Sequence, residues 1–304
     1  MSEMSIVNTV TQGSAIIIVT TIIIVSNVVN IIIWSRMGGL ARVTKFILLN
    51  LSVSDVMVGI VACAPAIFPA FTGRWPFGAA WCQVSGVMHG VSCAISIWCI
   101  SVIGIDRYIA IVWPFRYKQL MSMRNAAVIM TTLWICATVT FVAPIFTKSN
   151  FVYYRYTDEL KMCGLYWEYP VFCVLTALYI PVGSSAVVVF TSVKINRSLN
   201  TSDVPRANDN RKALRKLIVS AVVFLACWGP YTTIAVMTSF VPAVRPPASV
   251  QFWSLWLANC NSFMNVFVYS LTVKSYRLAV VRLVKCAGVP VVPQTSSVTP
   301  TVDA

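Results

Sequence analysis

Three groups of residues in this sequence carry side chains whose types and spacing go beyond packing. The first is Asp106-Arg107-Tyr108. Its arginine can pair with the adjacent carboxylate, or swing away and offer a fork of donors to another partner. That describes a two-state element, or else an ordinary anchor at a membrane boundary, where Arg and Tyr both concentrate. The second is Asp55, in Asn50-Leu51-Ser52-Val53-Ser54-Asp55, with Asn27, Ser96, Asn261, Ser262 and Asn265 at comparable depth in other apolar runs. A carboxylate among hydroxyls and amides is a hard-oxygen set for a small cation or a proton. It is equally a polar core that joins helices by hydrogen bonds. The third is Cys227-Trp228-Gly229-Pro230. Pro230 removes a helical hydrogen bond and kinks the helix. Trp228 beside it either reports the occupancy of a pocket above it or packs at a structural kink.

All three groups lie in or at the ends of long apolar runs. The chain has 304 residues, 58% of them hydrophobic and 11% charged, with a mean hydropathy of +0.78. Soluble domains carry about a quarter charged residues, so lipid is the expected solvent. An excess of 23 Lys+Arg over 9 Asp+Glu would suggest nucleic acid in a soluble protein. Here the basic residues flank apolar runs, and no nucleic-acid partner is expected. There is one His, no Cys/His metal spacing and no nucleophile–base set, so an enzyme is not expected. No cleavable signal peptide is evident, because the first apolar run is long enough to span.

That run, from Ser14 to Trp34, is 21 residues without a charge. At about 1.5 Å per residue it crosses a hydrocarbon core of roughly 30 Å. Its Ile/Val content would suit a strand, but its length excludes one. Similar runs follow at 46–70, 83–105, 126–146, 170–193, 217–241 and 249–272. In lipid such runs must be helices, which satisfy their own backbone hydrogen bonds. With the N-terminus outside, eighteen of the 23 Lys and Arg fall on the cytoplasmic side, which fixes the orientation. The C-terminus is then inside. The reading is one all-α integral membrane domain: an outer N-terminus at 1–13, seven spans at 14–273, an amphipathic surface helix at 274–286 and a disordered tail at 287–304. The alternative reading is a polytopic transporter or channel that uses Asp55 as its ion site, although no internal repeat is visible, as a transporter built from two related halves would show. Cys82 and Cys163 are the two cysteines clearly on the oxidising side, so a disulfide between them is expected. Sequons at Asn196 and Asn200 fall on the cytoplasmic side, and glycosylation there would overturn this topology.

In order along the chain, these features resemble the rhodopsin-like (class A) G protein-coupled receptors over about residues 14–286. Asn27 matches the family's first-helix Asn, and Asp55 its second-helix sodium-site Asp. Trp75-Pro76-Phe77-Gly78 matches the first outer-loop motif, and Cys82 with Cys163 the family disulfide. Asp106-Arg107-Tyr108 matches the G-protein switch, Trp134 and Pro144 the fourth helix, and Pro181 the fifth. Cys227-Trp228-Gly229-Pro230 matches the sixth-helix toggle, and Asn265 to Tyr269 the seventh-helix motif. Lys274 to Cys286 resembles the family's membrane-surface eighth helix, with Cys286 at its palmitoylation position. The resemblance implies a plasma-membrane receptor that passes an outer stimulus to a heterotrimeric G protein. It also implies a sodium site at Asp55, Ser96, Asn261 and Asn265. The seventh-helix segment around Trp256-Leu257 and Asn261-Ser262-Phe263, with Tyr117-Lys118-Gln119-Leu120, is similar to a small orphan group coupled to the stimulatory G protein.

Departures from the pattern are as informative. Val266 replaces the seventh-helix Pro, Val189 a fifth-helix Tyr, and Asn208 an acidic partner of the switch Arg. A weak resting lock and raised basal signalling are the expectation. In the implied ligand pocket, His89 stands where aminergic receptors carry an Asp, so a monoamine would lack its counter-ion. His89 is either a pH-sensitive or acid-binding group, or a neutral histidine hydrogen-bonded within the bundle. Asn259 replaces the retinal-linking Lys of opsins, so no Schiff base forms and no retinal is expected. Ser92, Tyr231, Phe252 and Trp256 complete the implied pocket. The aromatic loop Tyr153-Tyr154-Arg155-Tyr156 either binds a ligand or folds into the pocket itself.

Overall fold

The computed structural model describes residues 3–147, 154–165, 170–201, 207–241, 243–244 and 246–284. Its elements are α1 (Glu3–Arg36), α2 (Arg42–Thr72), α3 (Gly78–Val112), α4 (Met123–Thr147), a hairpin of β1 (Tyr154–Thr157) and β2 (Met162–Leu165), α5 (170–201), α6 (Ala207–Phe240), α7 (Ala248–Thr272) and α8 (Lys274–Val284). Six of these helices, α1 to α6, are long and apolar enough to cross a membrane by length and composition. The seventh, α7, has 25 residues, sufficient for about 30 Å of hydrocarbon. It is less apolar because it buries Asn259, Asn261, Ser262 and Asn265 against its neighbours.

The helices outrun the apolar stretches that announced them. α1 begins at Glu3 rather than Ser14, α3 continues to Val112, and α5 continues to Thr201. α6 starts at Ala207, before the expected 217. Hydropathy marks the part of a helix that lipid covers; polar turns beyond it remain helical without being visible as apolar. Asn196 and Asn200 therefore sit on the last turns of α5, where Asn200 Oδ1 accepts a bond of 2.9 Å from Arg211 on α6.

α3 is the most deeply buried span. It packs against α2, α4, α5 and α6 and carries the hairpin at its N-terminal end. α1 packs on α2 and α7, and α8 turns off α7 against α1. Two helices contain a wider π turn: α2 at Val58–Cys63, just after Asp55, and α5 at Leu178–Val182, around Pro181. Such turns shift the face a helix presents and concentrate at functional sites. α8 buries Tyr276 and Ala279 and leaves Leu278, Val281 and Leu283 outward, as a helix lying on lipid requires. Cys286 and the tail lie outside the described residues.

Candidate functional site

At the end of the bundle that carries the hairpin, α3, α4, α5 and α6 enclose a cavity of about 110 Å³. Gly86, His89 and Gly90 line it from α3, Phe141 from α4, Thr176 and Ile180 from α5, and Trp228 and Tyr231 from α6. The two glycines make room for rings. A methyl group on Gly86 would come within 2.4 Å of Tyr154, and one on Gly90 within 2.4 Å of Phe141. Tyr154 is the loop aromatic that folds inward, and its hydroxyl donates to the Phe141 carbonyl at 2.8 Å.

The hairpin forms the roof. Cys82 and Cys163 are disulfide-bonded, with Cα atoms 5.4 Å apart. The Gln83 side chain donates to the Tyr154 carbonyl and accepts from its N–H. Trp256 Nε1 donates to the Leu160 carbonyl at 3.1 Å. This roof explains where the other expected pocket residues went. Phe252 and Trp256 are buried behind the cavity, packed with Leu160 and Met162, rather than lining it. Ser92 is buried on α3 and is not among the lining residues. Asn259 serves His89 instead: His89 Nε2 and Asn259 Oδ1 are 2.8 Å apart. His89 and Trp228 have ring centroids 6.5 Å apart, which connects the cavity floor to α6.

Below it lies the polar core. Asn265 Nδ2 donates to Asp55 Oδ2 at 3.0 Å, and the Ser96 and Ser262 hydroxyls approach the same carboxylate. Asp55 Oδ1 and Ser96 Oγ are buried without a hydrogen-bond partner among the described residues. Asn261 is buried on α7, but Ser262, one residue on, is the α7 hydroxyl that faces Asp55. Asn27 Nδ2 donates to the Ser262 carbonyl at 2.8 Å, Asn30 Nδ2 to Asn27 Oδ1 at 3.2 Å, and the Tyr276 hydroxyl to Asn30 Oδ1. These links tie α7, α1 and α8 together. Asn30 and Tyr276 carried no sequence signal beyond their polarity on otherwise apolar faces.

At the end of the bundle opposite the hairpin, Arg107 pairs with Asp106. The Arg107 NH2 group lies 2.5 Å from Asp106 Oδ2, and its Nε at 3.0 Å. Two residues that sequence reasoning missed complete the arrangement. Thr44 donates to Asp106 Oδ2 at 2.8 Å and accepts from Arg107; Tyr117 donates to Asp106 Oδ1 at 2.7 Å. Burial, with the bond to Asp106 adding to it, pushes the Tyr117 phenol up to about 12, so it stays a donor at physiological pH. The place of Thr44, in the first turn of α2, was the available clue. Beside the pair is a second cavity of about 120 Å³, lined by Thr44, Arg107, Lys216, Ser220 and Tyr269. Lys216 Nζ lies 5.0 Å from the Tyr269 ring centroid, and Tyr269 packs against Trp34 at 5.2 Å. Lys212 and Arg215 are exposed and do not line this cavity. Tyr108 packs on Trp113 and Phe190. Pro230 lies on the outward face of α6, Val189 on that of α5, and α7 runs unbroken through Val266. The Asn208 side chain lies outside the described residues.

The family model for the 7 transmembrane receptor (rhodopsin family) matches residues 26–269. The chain is 24% identical over 297 residues to the alpha-1D adrenergic receptor of Mus musculus, covering 81% of this chain and 52% of that receptor. It is 28% identical over 290 residues to the GQ-coupled rhodopsin of Mizuhopecten yessoensis, covering 88% and 58%. The chain thus spans about half the length of the adrenergic relatives it matches. The crystal structure of squid rhodopsin superposes with a TM-score of 0.80 at 21% identity, covering 91% of this chain and 85% of that one, and shows the same fold. The transporter alternative finds no support in these matches. On a match that runs from Ser26 in α1 to Tyr269 in α7, this chain belongs to the rhodopsin family of seven-transmembrane receptors.

Proposed function

We propose that this chain is a multi-pass plasma-membrane receptor that transduces an extracellular stimulus to a heterotrimeric G protein, with its N-terminus outside and its C-terminus inside. The observation that carries the reading is the Asp106–Arg107 pair beside a cytoplasmic cavity that also holds Lys216. In the arrangement seen, Arg107 is turned toward Asp106 and Thr44. Outward movement of the cytoplasmic half of α6 carries Lys216 away and widens the cavity, and Arg107 is then free to meet the G protein. A stimulus drives this step by binding one arrangement better than the other. Coupling to the stimulatory G protein and raised basal output belong to the same proposal. They rest on the subfamily resemblance and on the two cations that share one cavity.

Asp55, Ser96 and Asn265 offer oxygens that fit a small cation, and the unpartnered Asp55 Oδ1 and Ser96 Oγ support that reading. A sodium ion bound there would supply positive charge to the buried carboxylate and favour the resting arrangement. Raising sodium is therefore expected to lower basal output in the wild type and to have no effect in Asp55→Asn. The main test is a panel of G proteins assayed for nucleotide exchange with the wild type and Arg107→Ala at matched expression. Exchange above mock that is lost in Arg107→Ala supports the proposal. No exchange with any G protein, or an unchanged response in Arg107→Ala, overturns it.

A further inference from the structure

We infer that the outer cavity takes a small, uncharged, ring-sized apolar molecule, and not an amine, a carboxylate or a peptide terminus. The inference rests on the receptor reading and names the ligand class of its pocket.

Among the described residues, no Asp, Glu, Lys or Arg lines the cavity. A charged ligand would lose its water there and gain no counter-ion, at a cost of several kcal/mol. The polar groups around the cavity are largely engaged with one another. His89 Nε2 is held by Asn259, and the Tyr154 hydroxyl donates to the Phe141 carbonyl. The Thr176 hydroxyl donates to its own helix, to the carbonyls of Phe172 and Cys173. Tyr231 and Thr232 add two hydroxyls from α6, and the rest of the lining is mainly carbon, sulfur and aromatic surface, including Cys93, Ile97, Phe141, Met162, Ile180 and Trp228. An apolar cavity of roughly 150 Å³ stays dry and binds benzene. A cavity of about 110 Å³ with partly open walls is matched to one ring system. Trp228 at its floor, 6.4 Å from Phe224 and 6.3 Å from Tyr231 between ring centroids, offers aromatic faces for such a ring. The hairpin roof adds Tyr154 and Met162 to the lining.

The test uses the full-length chain in lipid nanodiscs and three probes that share a ring and differ in charge: indole, tryptamine and indole-3-acetate. Saturating indole is expected to raise the apparent Tm by about 3–5 °C, and the two ions to leave it unchanged. Ala94→Leu and Ala177→Leu fill the cavity from α3 and α5, and each is expected to abolish the indole shift. Whichever of them melts cooperatively decides the point. No shift with indole, equal shifts with either ion, or an indole shift that survives in the filled variants overturns the inference. G-protein exchange that depends on Arg107, measured in the same nanodiscs, reports separately on the receptor reading. Its absence would sink that reading whatever the probes do.

Discussion

Gly86, His89 and Gly90, on the N-terminal half of α3, face a cavity whose described lining holds no carboxylate, ammonium or guanidinium group, whereas Arg107, about five turns further down the same helix, faces one that contains two cations. In the outer region the polar side chains are settled by each other, and shape is what remains to be read. In the inner region one buried carboxylate, Asp106, receives bonds from Thr44, Tyr117 and Arg107, while Lys216 has no acid among the residues lining its cavity. Like charges that share a low-dielectric space repel more than they would in water. The difference teaches that the two ends answer to different perturbations: the outer end to volume, the inner end to charge.

That comparison can be broken or sharpened by mutation. The largest effect is expected from Arg107→Ala, which removes the group the G protein is proposed to meet. Loss of a buried charged contact costs about 2 kcal/mol or more, so exchange should fall by about 30-fold. Thr44→Val deletes a donor to Asp106 and an acceptor for Arg107. A bond to a charged group contributes about 1.5 kcal/mol, and the looser resting pair should raise basal exchange by up to about tenfold. Lys216→Met keeps the volume and removes the second cation. Basal exchange should then fall by roughly threefold, because the repulsion that favours opening is relieved. If Thr44→Val and Lys216→Met move basal exchange in the same direction, the charge account of the inner end is wrong. The smallest effect belongs to the outer end. Trp256→Phe removes one neutral bond to the Leu160 carbonyl, worth about 1 kcal/mol. Thermal melting should drop by about 2 °C.

The sequence made some of this molecule plain and hid the rest for physical reasons. The spans were legible because lipid permits only long apolar helices, and α7 was found despite its buried polar residues because its length and flanks still fit. Helix ends were not legible: nothing apolar marks the first turns of α6 or the last of α5. The hairpin was hidden as well, since Tyr154–Thr157 and Met162–Leu165 are too short for a periodic signal. Asp106, Arg107 and Asp55 stood out because charge is rare at membrane depth. Thr44, Tyr117 and Asn30 did not, because hydroxyls and amides are common in helices and only the fold shows which of them meet. The outer pocket was the least legible part. Trp256 and Phe252 have the character of ligand contacts in the sequence, yet the loop reaches them first. Gly86 and Gly90 are silent as letters and decisive as gaps.

The roof described above also governs time. It is fastened to α3 by a covalent bond at Cys82 and by the Gln83–Tyr154 pair, and to α7 through Trp256. A molecule beneath it can leave past the hairpin only after several of these fastenings yield together. Its dwell time is then set by the opening frequency of the hairpin as much as by its affinity. Two ligands of equal affinity would on that ground give signals of different duration if one pushes against Tyr154 and the other does not.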